Sequence, residues 1–361
     1  MKPTRELIEE AQRVVPDLDE LGERLRSNPE QVLASALHRP RRAADASSAE
    51  IGAPPEETEL ALGPVRTAVE RTTDGALRAI DKIRRDGADA ELDPEEIVGT
   101  EAIILLEGRP AILIQEGRFF PPPQAWAKLE EMRDAIELTI QSVGRIEVQG
   151  HPAMDWLGTG WLVANDVVMT NRHVAKEFTR QQGRSWVFEP GMRGQIDFRE
   201  EFGGGGPAEF RLTEVIGVHD SLDLAVFRVT RRSAGKALPP PLKLASAKAR
   251  AKKGQEVYVI GFPASDSRRN DPEEMRRIFD NIYNVKRLQP GEVKKVSGAT
   301  FEHDCSTLGG NSGSCVVDLE SHRVVGLHFS GRYLEANKAV ALWKLAKDPL
   351  IKKAGISFDG G

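Results

Sequence analysis

The chain has 361 residues, of which 40% are hydrophobic, and its 55 acidic and 50 basic residues leave a formal net charge of -5. This length allows more than one folded domain. Because both signs of charge are mixed along the chain, the composition argues against a protein that binds nucleic acid or an anionic membrane. The charged N-terminus lacks the apolar run of a secretory signal, and no stretch is apolar enough to cross a bilayer, so we expect a cytoplasmic protein.

Apolar residues recur at intervals of three and four through the first third of the chain. The pattern includes Leu7, Ala11 and Leu21 and returns at Ala76 and Ile80, which predicts amphipathic helices. The stretch 38–57 is rich in Ala, Ser, Pro and Arg and predicts an exposed linker. We assign residues 1–95 to a helical N-terminal region that is either an adaptor for a protein partner, with a regulatory role, or a stabilising extension.

Residues 96–143 are predicted to connect this region to a second domain. The apolar runs 103–106 and 111–114 flank a Glu-Gly-Arg-Pro turn signal at 107–110 and predict a small hairpin. From Trp126 to Val143, apolar residues mark one face of a helix of about five turns. This helix is expected to pack on the domain that follows.

From residue 144 the hydrophobic period changes to two, and we assign 144–361 to one β domain. Short β-rich runs separated by Gly, Pro, Asn and Asp predict closed barrels or a sandwich. The glycine run 203–206 and the charged stretch 265–281, with its own helix at 272–278, are predicted to be surface loops. The predicted strands are Trp161–Ala164, Val167–Thr170, Val215–Val218, Leu224–Val229, Val257–Ile260, Cys315–Val317 and Val324–Phe329.

Three short segments supply the residue types of a nucleophilic hydrolase. Serine is a poor nucleophile at neutral pH, so it needs a base within hydrogen-bond reach and a buried carboxylate that orients this base. The segment 158–175 predicts a hairpin whose second strand delivers His173 at its end. Asp223 stands immediately before a buried strand, and Ser312 lies at the centre of a glycine-rich turn. We interpret the three as base, orienting acid and nucleophile.

The glycines around Ser312 allow the turn to aim the backbone N–H groups of Gly310 and Ser312 at one point. An oxyanion would develop there, and each such donor is worth about 3 kcal/mol of transition-state stabilisation. Each segment alone also fits a structural role, such as a turn residue or a histidine after a strand. In the order His, Asp, Ser they favour catalysis. This order, and Ser314 in place of the final glycine of Gly-x-Ser-x-Gly, argue against an α/β-hydrolase.

The three segments resemble the triad motifs of the trypsin/chymotrypsin-like serine protease superfamily. Thr170-Asn171-Arg172-His173-Val174 and Gly310-Asn311-Ser312-Gly313-Ser314 are typical of its bacterial members. The resemblance covers about residues 144–350 and implies a mainly β fold, a double antiparallel β-barrel (chymotrypsin-like), here with an N-terminal α-helical region. It places His173 and Asp223 in the first barrel and Ser312 in the second. The implied activity is a serine endopeptidase that cleaves a protein or peptide substrate through an acyl-enzyme.

The local sequence around the nucleophile is most similar to the bacterial glutamyl endopeptidases. In that group, a Thr or Ser five residues before the nucleophile and a His on a later strand receive an acidic side chain. Thr307 and His328 stand at the matching positions, and Ser330 and Gly331 follow on the same strand. The resemblance therefore implies a substrate pocket that prefers acidic residues. The alternative is that His328 packs in the core or bonds to backbone, and for His303 a wall or surface role is expected.

Other chemistries have little support in the sequence. Cys305 and Cys315 predict free, buried thiols rather than a disulfide or a nucleophile. No metal-binding motif appears, so we expect no metal and no other cofactor. The alternative function is a catalytically silent protease-fold protein that binds peptides or serves as a scaffold.

Overall fold

The computed structural model describes residues 4–15, 18–27, 73–103, 109–204, 206–264, 279, 282–332 and 336–359. They divide into two compact units. The first contains Met1–Pro110, Pro122–Ala127 and Glu273–Asp280, and the second contains Ala111–Pro121, Lys128–Pro272 and Asn281–Gly361. Within these described residues, no helix is both long and apolar enough to span a membrane.

The first unit is helical, as the three-to-four-residue pattern predicts. Its helices are Thr4–Val14, Leu18–Ser27, 73–86 and Pro94–Ile103. The apolar faces of the second and third pack together through Leu21, Leu25, Ala76 and Ile80, all of which are buried. The predicted linker at 38–57 lies outside the described residues.

Two reciprocal hydrogen bonds cap the start of the helix Pro94–Ile103. The Glu96 N–H donates to the Asp93 carboxylate at 2.9 Å, and the Asp93 N–H donates to the Glu96 carboxylate at 2.8 Å. This arrangement is a capping box, which satisfies two backbone donors at the start of a helix.

Two sequence predictions for residues 96–143 are wrong. Ile103 ends a helix instead of beginning a strand, and the hairpin lies further along, between β1 (Ile112–Gln115) and β2 (Arg118–Phe119). Its turn is Glu116–Gly117, where both residues have positive φ, as a two-residue hairpin turn requires. Residues 104–108, which include the start of the turn signal at 107–110, lie outside the described residues.

The predicted five-turn helix is three shorter elements. They are the 3-10 turn Gln124–Trp126 and the helices Lys128–Glu131 and Arg133–Gln141. Met132 interrupts the series with φ -106° and ψ 10°, and Val143 already belongs to a strand. The spacing of apolar residues does not show where the helix ends and the strand begins. Val143 is buried in the strand, and it would be equally buried on the apolar face of a helix.

Six antiparallel strands in the second unit form a closed barrel in the order β10-β5-β4-β3-β8-β9. Its core includes Phe178 and Phe227, whose rings stack with centroids 5.3 Å apart. The strands are β3 Val143–Gln149, β4 Trp156–Ala164, β5 Val167–Thr170, β8 Arg193–Asp197, β9 Glu209–Val218 and β10 Ala225–Val229.

A second ring follows the order β14-β17-β18-β19-β16-β15, and it closes because β14 also pairs with β15. Buried side chains such as Val259, Phe301 and Val316 fill it. The double antiparallel β-barrel and the N-terminal helices confirm the predicted fold class. The strands are β14 Glu256–Gly261, β15 Arg287–Ser297, β16 Thr300–His303, β17 Cys315–Asp318, β18 Val324–Arg332 and β19 Ala336–Ala341.

Shorter elements complete the second unit. The helix Pro349–Lys353 begins at Asp348, whose side chain accepts the backbone N–H groups of Leu350 and Ile351. The helix Arg172–Lys176 follows β5. The remaining strands are β6 Thr179–Gln182, β7 Ser185–Phe188, β11 Arg232–Ser233, β12 Lys236–Ala237, β13 Leu244–Ala245 and β20 Phe358–Asp359, and 3-10 turns lie at Ala247–Ala249 and Leu342–Lys344. A further 3-10 turn, Gly87–Asp89, belongs to the first unit.

A fully buried lysine links the two barrels. Lys286, which precedes β15, donates from Nζ to the Ile140 and Phe198 carbonyls at 3.1 and 2.7 Å. It also lies 3.2 Å from the Glu201 carboxylate. Burial lowers the pKa of Lys286, and the attraction of Glu201 partly offsets this effect. The second oxygen of Glu201 accepts the Gly117 N–H at 2.6 Å, so each group in this cluster has a partner.

Candidate active site

His173 lies in the short helix Arg172–Lys176, directly after β5, and the carboxylate of Asp223 contacts it at two points. One carboxylate oxygen of Asp223 accepts the His173 backbone N–H at 2.9 Å, and the other lies 2.7 Å from Nδ1 of the ring. The Asn171 side chain donates to the Asp223 carbonyl at 2.9 Å, which fixes the backbone of the acid. The structure therefore brings together the predicted base and the predicted orienting acid.

The Asp223 carboxyl is favoured in its ionised form. Burial raises its pKa, but the hydrogen bond and the charge interaction with His173 outweigh this effect, so that the pKa is lowered from its usual value. An ionised acceptor beside Nδ1 holds the ring proton on that nitrogen. The ring nitrogen Nε2 is then a lone-pair acceptor, as a general base requires.

The turn that contains Ser312 packs against β4, which also contacts the helix of His173. The Thr159 N–H donates to the Ser312 carbonyl at 2.8 Å. A Cβ added at Gly158 would lie 2.8 Å from the Ser312 carbonyl oxygen and 2.9 Å from a methyl group of Val174. Val174 is the next residue after His173, so only a glycine at position 158 lets the nucleophile turn and the histidine helix approach the strand together.

The backbone of the turn has the conformation that an oxyanion site needs. Gly310 and Gly313 have φ of +84° and +92°, in the region that favours glycine. The Gly309 carbonyl accepts the Ala264 N–H at 2.6 Å and is thereby turned away from the nucleophile. In the part of the chain that the structure describes, the N–H groups of Gly310 and Ser312 donate to no backbone oxygen, which leaves both available to a developing negative charge.

The predicted pocket residue His328 lies beside this turn and bonds to a second histidine. Its backbone carbonyl accepts the Gly313 N–H at 2.9 Å, and its Nδ1 lies 3.2 Å from Nε2 of His303. His328 is 2% exposed and His303 is fully buried. His303 therefore lines the interior beside His328 instead of lying at the surface.

Both pocket histidines are neutral at physiological pH. Burial lowers the pKa of His303 to about 4, and burial together with repulsion from His303 and His173 lowers the pKa of His328 well below its usual range. Nδ1 of His303 is buried and has no hydrogen-bond partner among the described residues. An unpaired lone pair costs less than an unpaired N–H, so the His303 proton belongs on Nε2, from which it is donated to Nδ1 of His328. Nε2–H of His328 is then a donor.

Of the other predicted pocket residues, Ser330 and Gly331 lie in β18, and Thr307 contacts the neighbouring strand β19. The Thr307 hydroxyl donates to the Asn337 side chain at 2.7 Å, and this side chain donates to the Cys305 carbonyl at 2.5 Å. Ser330 pairs with Lys338 and Gly331 with Asn337 between β18 and β19. Asn337 was missed by the sequence reasoning, because no local motif marks it.

Neither cysteine offers a competing nucleophile. Cys305 and Cys315 are free and buried, as predicted, and burial raises the pKa of Cys315 to about 12. In the described residues, the carboxylates of Glu147, Asp197 and Glu209 come within 4.8 Å of one another. Glu147 already pairs with Arg145 at 2.6 Å, so this cluster is not by itself a metal site.

Several known proteins are similar to this chain. Residues 158–327 match the family model of the trypsin-like peptidase domain. A probable serine protease of Lysobacter enzymogenes is 29% identical over 312 residues, which are 76% of this chain and 80% of that protein. A glutamyl endopeptidase of Staphylococcus aureus (strain MW2) is 27% identical over 191 residues, or 52% of this chain and 51% of that protein. The chain thus spans about half the length of that glutamyl endopeptidase.

A solved structure is also similar to this chain, at low sequence identity. The crystal structure of an M. tuberculosis protease in its active form is 21% identical, with a TM-score of 0.42, and covers 63% of this chain and 86% of that chain. The family match includes His173, Asp223 and Ser312, all of which fall within residues 158–327. These similarities support a serine endopeptidase, and residues 158–327 are similar to the trypsin-like peptidase domain.

Proposed function

We propose that His173, Asp223 and Ser312 are the catalytic triad of this endopeptidase. The observation that supports the assignment best is that the Asp223 carboxylate contacts His173 twice, at 2.9 Å from the backbone N–H and at 2.7 Å from Nδ1. A structural aspartate would need only one of these contacts. The pair fixes both the position and the tautomer of the ring, and this is what a general base requires.

In the proposed reaction, Nε2 of His173 takes the Ser312 hydroxyl proton while Oγ attacks the carbonyl carbon of the scissile bond. The N–H groups of Gly310 and Ser312 stabilise the oxyanion of the tetrahedral intermediate. The imidazolium then gives its proton to the leaving amine, the C–N bond breaks, and an acyl-enzyme remains. Water, deprotonated by His173, releases the acid product and restores the serine.

A fluorophosphonate probe tests this function. Because the probe reacts with a serine activated by a neighbouring base, we expect the wild-type protein to form one covalent adduct, which peptide mass spectrometry locates at Ser312. An adduct on a different serine would contradict the assignment of Ser312. Failure to label under any condition would instead favour the silent scaffold.

We also propose that the pocket formed by Thr307, His328, Ser330 and Gly331 prefers an acidic residue before the scissile bond. The neutral His328 offers an Nε2–H donor, for which a carboxylate is a strong acceptor. The glutamyl endopeptidase of Staphylococcus aureus that is similar to this chain supports the same preference. The titratable groups that act on His328 are the buried His303 from β16 and the exposed His173 from the helix Arg172–Lys176, and no carboxylate is among them in the described part of the chain.

This pocket predicts a pH-dependent preference for glutamate over glutamine. A bound carboxylate stabilises protonated His328, so the pKa of His328 is higher in the complex than in the free enzyme. The extra binding is fully present below the free-enzyme pKa and is lost as pH rises through the pKa of the complex. We expect the ratio of kcat/KM for a Glu peptide to that for the matched Gln peptide to rise about tenfold as pH falls from about 8 to about 5.

Since protonation of His173 affects both peptides alike, the ratio removes its contribution. His328→Gln, which keeps an N–H donor but does not titrate, is the matched control and should give a ratio that does not change with pH. A wild-type ratio that is equally flat would contradict the acidic preference. The cytoplasmic location and a partner for the helical region 1–95 stay predictions from the sequence.

A further inference from the structure

One buried threonine makes two hydrogen bonds to the turn of the nucleophile. Thr159, in β4 of the first barrel, is fully buried. Its N–H donates to the Ser312 carbonyl at 2.8 Å, and its hydroxyl donates to the Gly310 carbonyl at 2.8 Å. Gly310 and Ser312 are the two residues whose N–H groups face the proposed oxyanion, so a single side chain and its own backbone hold both of them from the other barrel.

The direction of the Thr159 hydroxyl is determined by its neighbours. The Phe262 N–H donates to this hydroxyl at 3.3 Å, so its oxygen is already an acceptor and its hydrogen is directed to Gly310. The Thr159 carbonyl accepts the Thr170 hydroxyl at 2.7 Å. These contacts favour one rotamer of the threonine, and among the described residues no second acceptor competes for its proton.

The contact on Gly310 matters because a glycine has no side chain to restrict its backbone. Peptide units are planar, so fixing a carbonyl fixes the whole unit to which it belongs. The Ala264 N–H holds the unit before Gly310, through the Gly309 carbonyl at 2.6 Å, and Thr159 holds the unit after it. With both neighbouring units fixed, Gly310 stays at φ +84° and its N–H keeps its direction.

Without the hydroxyl, the unit after Gly310 would keep only a weaker contact inside the turn, from the Asn311 N–H to the Leu308 carbonyl at 3.2 Å. Glycine has many accessible conformations, so the backbone could rotate at Gly310 even while Ala264 holds the unit before it, and the Ser312 N–H would move relative to the Gly310 N–H. We propose that Thr159 is a positioning residue for the oxyanion site, which acts through its hydroxyl without touching the substrate. The proposal rests on catalysis by Ser312.

The test compares Thr159→Val, which removes the hydroxyl at nearly equal volume, with Thr159→Ser, which retains it. For Thr159→Val we expect kcat to fall by about 10- to 100-fold, because a displaced oxyanion donor costs up to about 100- to 1,000-fold, while KM changes by less than about threefold. Thr159→Ser should recover kcat to within about threefold of wild type. A peptide aldehyde, which binds as a tetrahedral adduct, should lose affinity in parallel with kcat, and the acid limb of the kcat/KM profile should not move.

Thr139→Val is the matched control, because it removes a buried hydroxyl that contacts Ala135 and Tyr258 and not the turn. Thr139→Val should have the kcat of wild type and should lose about as much thermal stability as Thr159→Val. If Thr159→Val does not fold, Thr159→Ala provides the second variant that lacks the hydroxyl. A folded variant of either kind with wild-type kcat, or a Thr159→Ser as slow as Thr159→Val, would overturn the proposal. Failure of the triad is a separate result, seen as unchanged activity after removal of Ser312 itself.

Discussion

Replacing Ser312 by Ala is expected to lower kcat for peptide hydrolysis by about one million-fold, the cost of removing the nucleophile of a serine protease triad. The side chain of Ser312 supplies the only atom that becomes covalently bonded to the substrate, whereas the turn around it is held by backbone contacts from Thr159 and His328. The loss of one oxygen should therefore leave the fold intact. Steady-state cleavage of a fluorogenic peptide, with thermal melting on the same sample, measures both.

Ser185→Ala is the matched control for this variant, since Ser185 is exposed in the β6–β7 hairpin. It should cleave at the wild-type rate. Residual hydrolysis by Ser312→Ala within about tenfold of wild type would exclude Ser312 as the nucleophile, because the oxyanion site and substrate binding alone leave only a small part of the acceleration.

Asp223→Asn is expected to lower kcat by about ten-thousand-fold at neutral pH. The Asp223 carboxylate accepts two donors at once, the His173 backbone N–H and Nδ1–H. An asparagine has one oxygen. If this oxygen accepts the backbone N–H, its amide group faces Nδ1 and favours the tautomer that has the proton on Nε2, so the ring no longer accepts the Ser312 proton.

The same change at Asp220 is the control, because Asp220 is three residues away and exposed and its side chain has no contact with His173 in the described structure. Asp220→Asn should keep kcat within about twofold of wild type, although it removes the same charge. Equal losses in the two variants would mean that net charge near the site, and not the orientation of the histidine, determines the rate.

The strands that the sequence predicted correctly are the ones with strong local signals. All seven predicted runs lie in strands or overlap them; for example, Val257–Ile260 lies within β14 and Cys315–Val317 within β17. β15 was missed, since it contains Pro290 and Gly291 and several charged residues. Two of its polar residues, Arg287 and Gln289, are buried by tertiary packing; Arg287 donates to the Ala111 carbonyl at 2.6 Å. A pattern of apolar residues cannot indicate such a strand.

The same distinction applies to the site. The segments of His173, Asp223 and Ser312 are recognisable because each has its own local motif. Thr159 and Asn337 are not, since their contacts with Gly310 and Cys305 join residues 151 and 32 positions apart. The pairing of His303 with His328 likewise depends on two strands meeting across the barrel. Such roles become visible only when the fold brings distant residues together.

The buried Lys286 affects how the peptidase domain unfolds. Its amino group lies at the start of the second barrel, and one of its partners, Phe198, lies at the end of a strand of the first. If one barrel opened alone, the polar groups of this cluster that stay buried in the other barrel would lose their partners, which is energetically costly. Partial unfolding is thus penalised, and the two halves of the domain should melt in a single cooperative transition.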